Sequence, residues 1–148
     1  MKHVLLALSI ALFSLFSMSS QAELNPIEQT VVDMMLEGDL RQLKAAVRRV
    51  HDAEIFNTEV LDVAAEIMLV TYPDTYKAEL DTLSWLAKAL GESGNNRYYG
   101  VLSEVVDKTR FKKLRNHSKK SLKKLKPPAD SDIQYKAGMK DVNVPDYF

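Results

Sequence analysis

The run from Leu86 to Leu125, LAKALGESGNNRYYGVLSEVVDKTRFKKLRNHSKKSLKKL, most narrows what this chain can fold into. Apolar residues recur at helical spacing on both sides of a turn at Ser93-Gly94-Asn95-Asn96, and the Ala89-Leu90 step returns as Ser121-Leu122, 32 residues later. The run reads as a helix end, a turn, a helix, a short break and a further helix. One amphipathic hairpin cannot bury its apolar side alone, so a pattern of this kind calls for hairpins stacked on one another.

The preceding sequence has the same rhythm. Asn25-Pro26 opens a first helix with a good N-cap and a proline where the first turn tolerates it. Ile27, Val31, Met34 and Met35 follow at helical spacing, and Gly38 closes the element. Asp39 caps a second helix with Leu40, Leu43, Ala46 or Val47, and Val50 inward, and Arg41, Lys44, Arg48 and Arg49 outward. Asn57 caps a third helix running to about Tyr72, apolar around so much of its girth that it must be packed on two sides. Pro73 stops it. Asp74 or Thr75 is expected to cap a fourth helix that ends at Leu90-Gly91. A fifth spans roughly Arg97 to Asp107 and a sixth roughly Phe111 to Leu125, where Ser118 and Ser121 on the apolar face leave room for a close helix approach. Pro127-Pro128 ends regular structure. The tail is expected to be irregular and to lie along the surface, with Tyr135, Met139, Tyr147 and Phe148 as its contacts. No segment alternates as a strand would.

The first 22 residues read differently. Lys2 and His3 precede the apolar run Val4 to Phe16, and Ser17 to Ala22 is small and polar. This is the layout of a signal peptide cleaved after Ala22; a membrane span needs about 20 apolar residues. The expected organisation is therefore a signal peptide over 1–22, a helical domain over 23–126 and a tail over 127–148. The mature chain would be periplasmic or secreted, with no transmembrane span. The sequence has no cysteine, so packing must replace the disulfides on which small exported domains often rely.

The net charge of zero conceals an asymmetry. Residues 23–107 carry 16 acidic and 7 basic side chains; residues 108–126 carry 10 basic and none acidic. Such a block either seeks an acidic partner or faces the acidic remainder of its own domain.

Ala89-Leu90-Gly91 at a helix end, Asn95-Asn96-Arg97 at the turn, Leu114-Arg115-Asn116-His117-Ser118 and Ser121-Leu122 in the following helix together resemble short HEAT repeats of the phycocyanobilin-lyase type. Asn95-Asn96 stands where those repeats carry Asp-Pro, and two serines stand for alanines. The resemblance covers about 40 residues; the first half shares only the helix rhythm. It implies an all-α, right-handed solenoid of about three antiparallel hairpins, with protein binding and no chemistry of its own.

The residues themselves offer few sites. Lys112, Lys113, Arg115, Lys119, Lys120, Lys123 and Lys124 occupy the polar side of the last helix; with Arg97 and Tyr99 they form the expected binding surface, for an unknown protein or for an anionic envelope surface such as phospholipid or lipopolysaccharide. The bland alternative is a solvated end cap. Nucleic acid is disfavoured, since Phe111 is the helix's sole aromatic. Tyr98 and Trp85 read as packing residues. His51 and His117 lie far from any ligand-spaced cluster, so no metal or cofactor site is expected. Glu54, Glu59, Asp62 and Glu66 include helix-spaced pairs, Glu59/Asp62 and Asp62/Glu66, and read as solvated surface, with a weak cation site as the alternative. No phosphate-cradling glycine loop or nucleophile elbow occurs, and no catalytic residue is expected.

Overall fold

A computed structural model of the chain describes residues 23–147. The signal-peptide expectation for residues 1–22 and the contact expected of Phe148 lie outside that range. The described residues form six α-helices and no strand: α1 (Pro26–Glu37), α2 (Leu40–Asp52), α3 (Thr58–Thr71), α4 (Leu80–Glu92), α5 (Tyr99–Lys108) and α6 (Lys112–Leu122). Short 3-10 turns precede α5 and follow α3.

The starts of α1 and α2 follow from their caps. The Asn25 side chain accepts from the backbone N–H groups of Ile27 and Glu28, while the Glu28 carboxylate accepts from the N–H of Asn25. Asp39 and Gln42 make the same reciprocal pair, so each helix begins with donors satisfied that would otherwise be orphaned. The fourth helix departs from expectation. It starts at Leu80 rather than after Thr75, because the Glu79 carboxylate accepts from the Thr75 hydroxyl (2.7 Å) and the Tyr76 N–H (2.6 Å). That closes residues 75–79 into a turn and delays the helix.

Helices α1–α2, α3–α4 and α5–α6 pair as hairpins, and the hairpins stack side by side. One layer contains α1, α3 and α5; the other contains α2, α4 and α6, with α3 and α4 central. The core is continuous from Val31 and Met35 through Leu61, Ile67, Leu83 and Leu90 to Leu102 and Leu114. Gly91 marks the closest approach of α4 and α6: a Cβ there would lie 2.6 Å from the Ser121 Cβ and 2.8 Å from its Cα. The small residues at both positions let the two backbones meet. No helix of the described residues is long and apolar enough to cross a membrane.

After α6 the chain turns back and crosses the first layer. The Lys126 N–H reaches the Asn96 side chain (2.9 Å), Gln134 bridges Asn96 and Gly100, and the Tyr135 N–H donates to the Arg97 carbonyl (2.8 Å). A turn with Gly138 at φ +81° follows, a conformation that favours glycine. The tail ends with the Tyr147 hydroxyl on the Met35 carbonyl (2.5 Å), an acceptor in the last turn of α1 that has no partner within its helix. The tail is thus irregular, as expected, but it is a bonded strap. Tyr135 is only 2% exposed.

Candidate functional site

Three arrangements of chemically able side chains stand out. The first is the carboxylate ladder Glu59, Asp62 and Glu66 along α3. Its helical spacing predicts solvated surface. Instead Asp62 and Glu66 are buried, and the strap and the α4–α5 connection supply their partners. Arg97 grips Asp62 with two parallel bonds, Nε to Oδ1 and Nη2 to Oδ2, both 3.0 Å. The Tyr98 hydroxyl adds a third bond at 2.9 Å. Glu66 accepts from the Tyr135 hydroxyl (2.5 Å) and the Gly138 N–H (3.0 Å), and Lys140 pairs with Glu59. Burial, reinforced by Asp62 and Glu66 respectively, pushes the Tyr98 and Tyr135 hydroxyls well above the ordinary tyrosine range. The Asp62 hydrogen bond raises Arg97 further. The hydrogen bonds tie α3 to the strap and to the α4–α5 connection, the arrangement of a joint.

Arg97, expected as a contact point for a partner, is therefore an internal tie. Tyr99 is half-buried against the core. A groove of about 1190 Å³ opens beside this ladder between the N-terminal ends of α1 and α3, with Ile27, Phe56 and Met139 among its walls. Two of its cations, Arg97 and Lys140, are paired to Asp62 and Glu59 within it. Among the described residues no group of three or more His, Asp or Glu side chains is arranged to hold a metal ion.

The second arrangement is α6. The seven basic residues of α6 and of the turn just past it do not act alike. Arg115 turns inward and donates to the carbonyls of Val106 (3.2 Å) and Thr109, closing the C-terminal end of α5. Lys113 and Lys124 reach back to Asp81 and Glu92 of α4. Lys112, Lys119, Lys120 and Lys123 remain exposed, with no carboxylate partner among the described residues. Half of the expected surface is thus structural and half is open.

The third arrangement is absent from the sequence-based expectations, which assign Trp85 to packing. Trp85 is half-buried on the outer side of the second layer, with His51 edge-on at 5.2 Å between ring centres. The Lys88 ammonium lies 3.9 Å from the ring centre, and the Arg48 guanidinium 5.1 Å from it. Two ion-paired rows cross all three helices on either side of the ring. In one, Asp81 is shared by Lys44 (2.7 Å) and Lys113 (3.6 Å); in the other, Glu92 holds Lys124 and lies 3.9 Å from His51. His117 stands nearby. Partial burial lowers its affinity for a proton, and Lys88, Lys113 and Lys120 lower it further against an opposing Asp81. A sequence signal existed: positions 44, 48 and 51 and positions 81, 85, 88 and 92 each fall on one helical face.

Comparison with family models, curated proteins and solved structures returns no match.

Proposed function

We propose that this chain is an exported, non-catalytic helical-repeat scaffold of the HEAT type, which works by holding another protein in the periplasm. One observation carries the reading. The clustered carboxylates and tyrosines, which are the groups best suited to chemistry, close on the chain's own strap and on Arg97, while open cations collect on the opposite layer. Acids, hydroxyls and cations that already neutralise one another are poorly placed to bind and polarise a substrate. The two-layer stacking of hairpins and the patterned residues 1–22 support the repeat and export parts of the reading.

A second reading, docking onto an anionic envelope surface, draws on the unpaired Lys112, Lys119 and Lys123. The balance favours a protein. The large exposed apolar side chains of the described residues are Ile27, Val70, Tyr76, Ile133 and Met139, and none lies on α6 or beside Trp85. A bilayer would therefore meet charge without an inserting residue.

The test is fractionation of the native host followed by native electrophoresis of the soluble envelope contents. The expected result is a processed chain beginning at Glu23 and migrating in a complex with a second protein. A chain that retains its first 22 residues, or that runs as a free monomer under all salt conditions, overturns the proposal.

A further inference from the structure

We propose that the outer side of α2, α4 and α6, centred on Trp85, is the docking surface for an acidic segment of a partner protein. The inference rests on the scaffold reading and adds the place and the chemistry.

Charge complementarity carries it. Lys44, Arg48, Lys88, Lys113 and Lys124, with Lys120 beside His117, outnumber Asp52, Asp81 and Glu92 on this side. The excess is not spread evenly. Asp81 is shared between α2 and α6, and Glu92 holds Lys124 just past α6 with His51 of α2 3.9 Å away; the two acids anchor the rows. Arg48 and Lys88, between the rows, have no carboxylate within ion-pair distance among the described residues; both lie on the Trp85 ring instead. A cation held over an indole is positioned and partly desolvated without being neutralised. It therefore keeps its charge for an incoming carboxylate and loses little freedom on meeting it. Trp and Arg are also the residues on which binding energy most often concentrates. The fixed acids at Asp81 and Glu92 make the side a mosaic. A mosaic selects a partner whose carboxylates fall between the rows and discriminates against a uniform sheet of negative charge.

Trp85 is the sole tryptophan, so fluorescence excited beyond the tyrosine absorption band reports on this surface alone. The probes are poly-L-glutamate, phosphatidylglycerol vesicles and phosphatidylcholine vesicles, each titrated at low and at high salt. We expect poly-L-glutamate to shift the emission saturably, with the effect weakened by salt. The double variant Arg48→Glu/Lys88→Glu should bind about tenfold or more weakly, and Arg48→Gln/Lys88→Gln should fall between it and the wild type. Reversal of the edge stripe, Lys112→Glu/Lys119→Glu/Lys123→Glu, should leave affinity within about threefold. Circular dichroism confirms that each variant is folded. Three results overturn the proposal: no response to poly-L-glutamate, equal weakening by the edge stripe and by the Arg48/Lys88 pair, or a response to anionic vesicles alone. If the native complex survives in Arg48→Glu/Lys88→Glu cells, the scaffold stands and this surface falls. If no complex exists in wild-type cells, the scaffold reading itself fails.

Discussion

The two layers of this molecule use nearly the same side chains to opposite ends. On the first, Glu59, Asp62 and Glu66 meet Arg97, Tyr98, Tyr135 and Lys140, and every one of these groups has an internal partner. On the second, Asp81 and Glu92 meet a surplus of lysine and arginine around Trp85, and Arg48 and Lys88 stay unneutralised. The difference lies in what lies on top. The strap covers α3 and excludes water, so a charge there survives only if paired and hydrogen-bonded. Nothing among the described residues covers α4 on its outer side, so water can carry the excess charge until a partner replaces it. Burial makes the first layer a joint; exposure makes the second a surface.

The comparison can be broken at graded cost. The largest effect is expected from Asp62→Ala, which strands the Arg97 guanidinium and the Tyr98 hydroxyl inside the joint; unfolding in urea should show a loss of about 3 kcal/mol. Glu66→Ala should cost about 2 kcal/mol, by leaving the Tyr135 hydroxyl and the Gly138 N–H unsatisfied. It should also speed exchange of the Gly138 amide. Gly91→Ala drives a methyl into Ser121 and should cost about 1–3 kcal/mol by overpacking, with the loss read as a lower thermal midpoint.

Titration should separate the layers as well. Burial, with Glu104 accepting from its hydroxyl, raises Tyr72 from 10.0 to about 12; Tyr98 and Tyr135 are raised too. A raised acid is stabilising while the proton stays on. That contribution is full below pH 10 and is lost as the pH climbs from 10 through the folded value. The alkaline limb therefore belongs to the first layer and to the end of α3, and Tyr135→Phe should shrink it. On the second layer, hydrogen bonds from Lys44 and Lys124 lower Asp81 and Glu92 respectively. Their contribution is full above their ordinary values of 3.8 and 4.5 and is lost as the pH falls through the lower folded values. Both side chains are well exposed (46% and 38%), so solvent keeps this acid limb small. His117 adds to it, because a base that resists protonation when folded loses stability as the pH falls below 6.5. The smallest effect is expected from Lys88→Ala, whose stability change should stay within about 1 kcal/mol although acidic-probe binding drops.

Much of this arrangement is legible in the sequence. Caps at Asn25, Asp39 and Asn57, the break at Pro73 and the serines on α6 set the helices and their close approach, because capping and small-residue contacts are local signals. The fourth helix starts late because Glu79 serves a turn, a competition between side chain and helix that periodicity does not register. Asp62 and Glu66 are buried where the spacing predicts solvent-facing acids. The ladder's acids have helical spacing typical of surface, and the partners that bury them come from 35 to 81 residues away in sequence. Trp85 packs against the core as its leucine-rich helix predicts; what its helix does not reveal is that Arg48 arrives over the ring from another helix. Long-range pairing decided both sites, and a single sequence carries little record of it.

The most direct test of the division between a closed layer and an open one is photo-crosslinking in the native host. A crosslinking residue would replace Lys88 or Lys120 on the second layer, and Ile133 or Met139 on the strap. The account predicts one common protein adduct from the first two positions and none from the second two. An adduct obtained from the strap positions while Lys88 and Lys120 give none would contradict it.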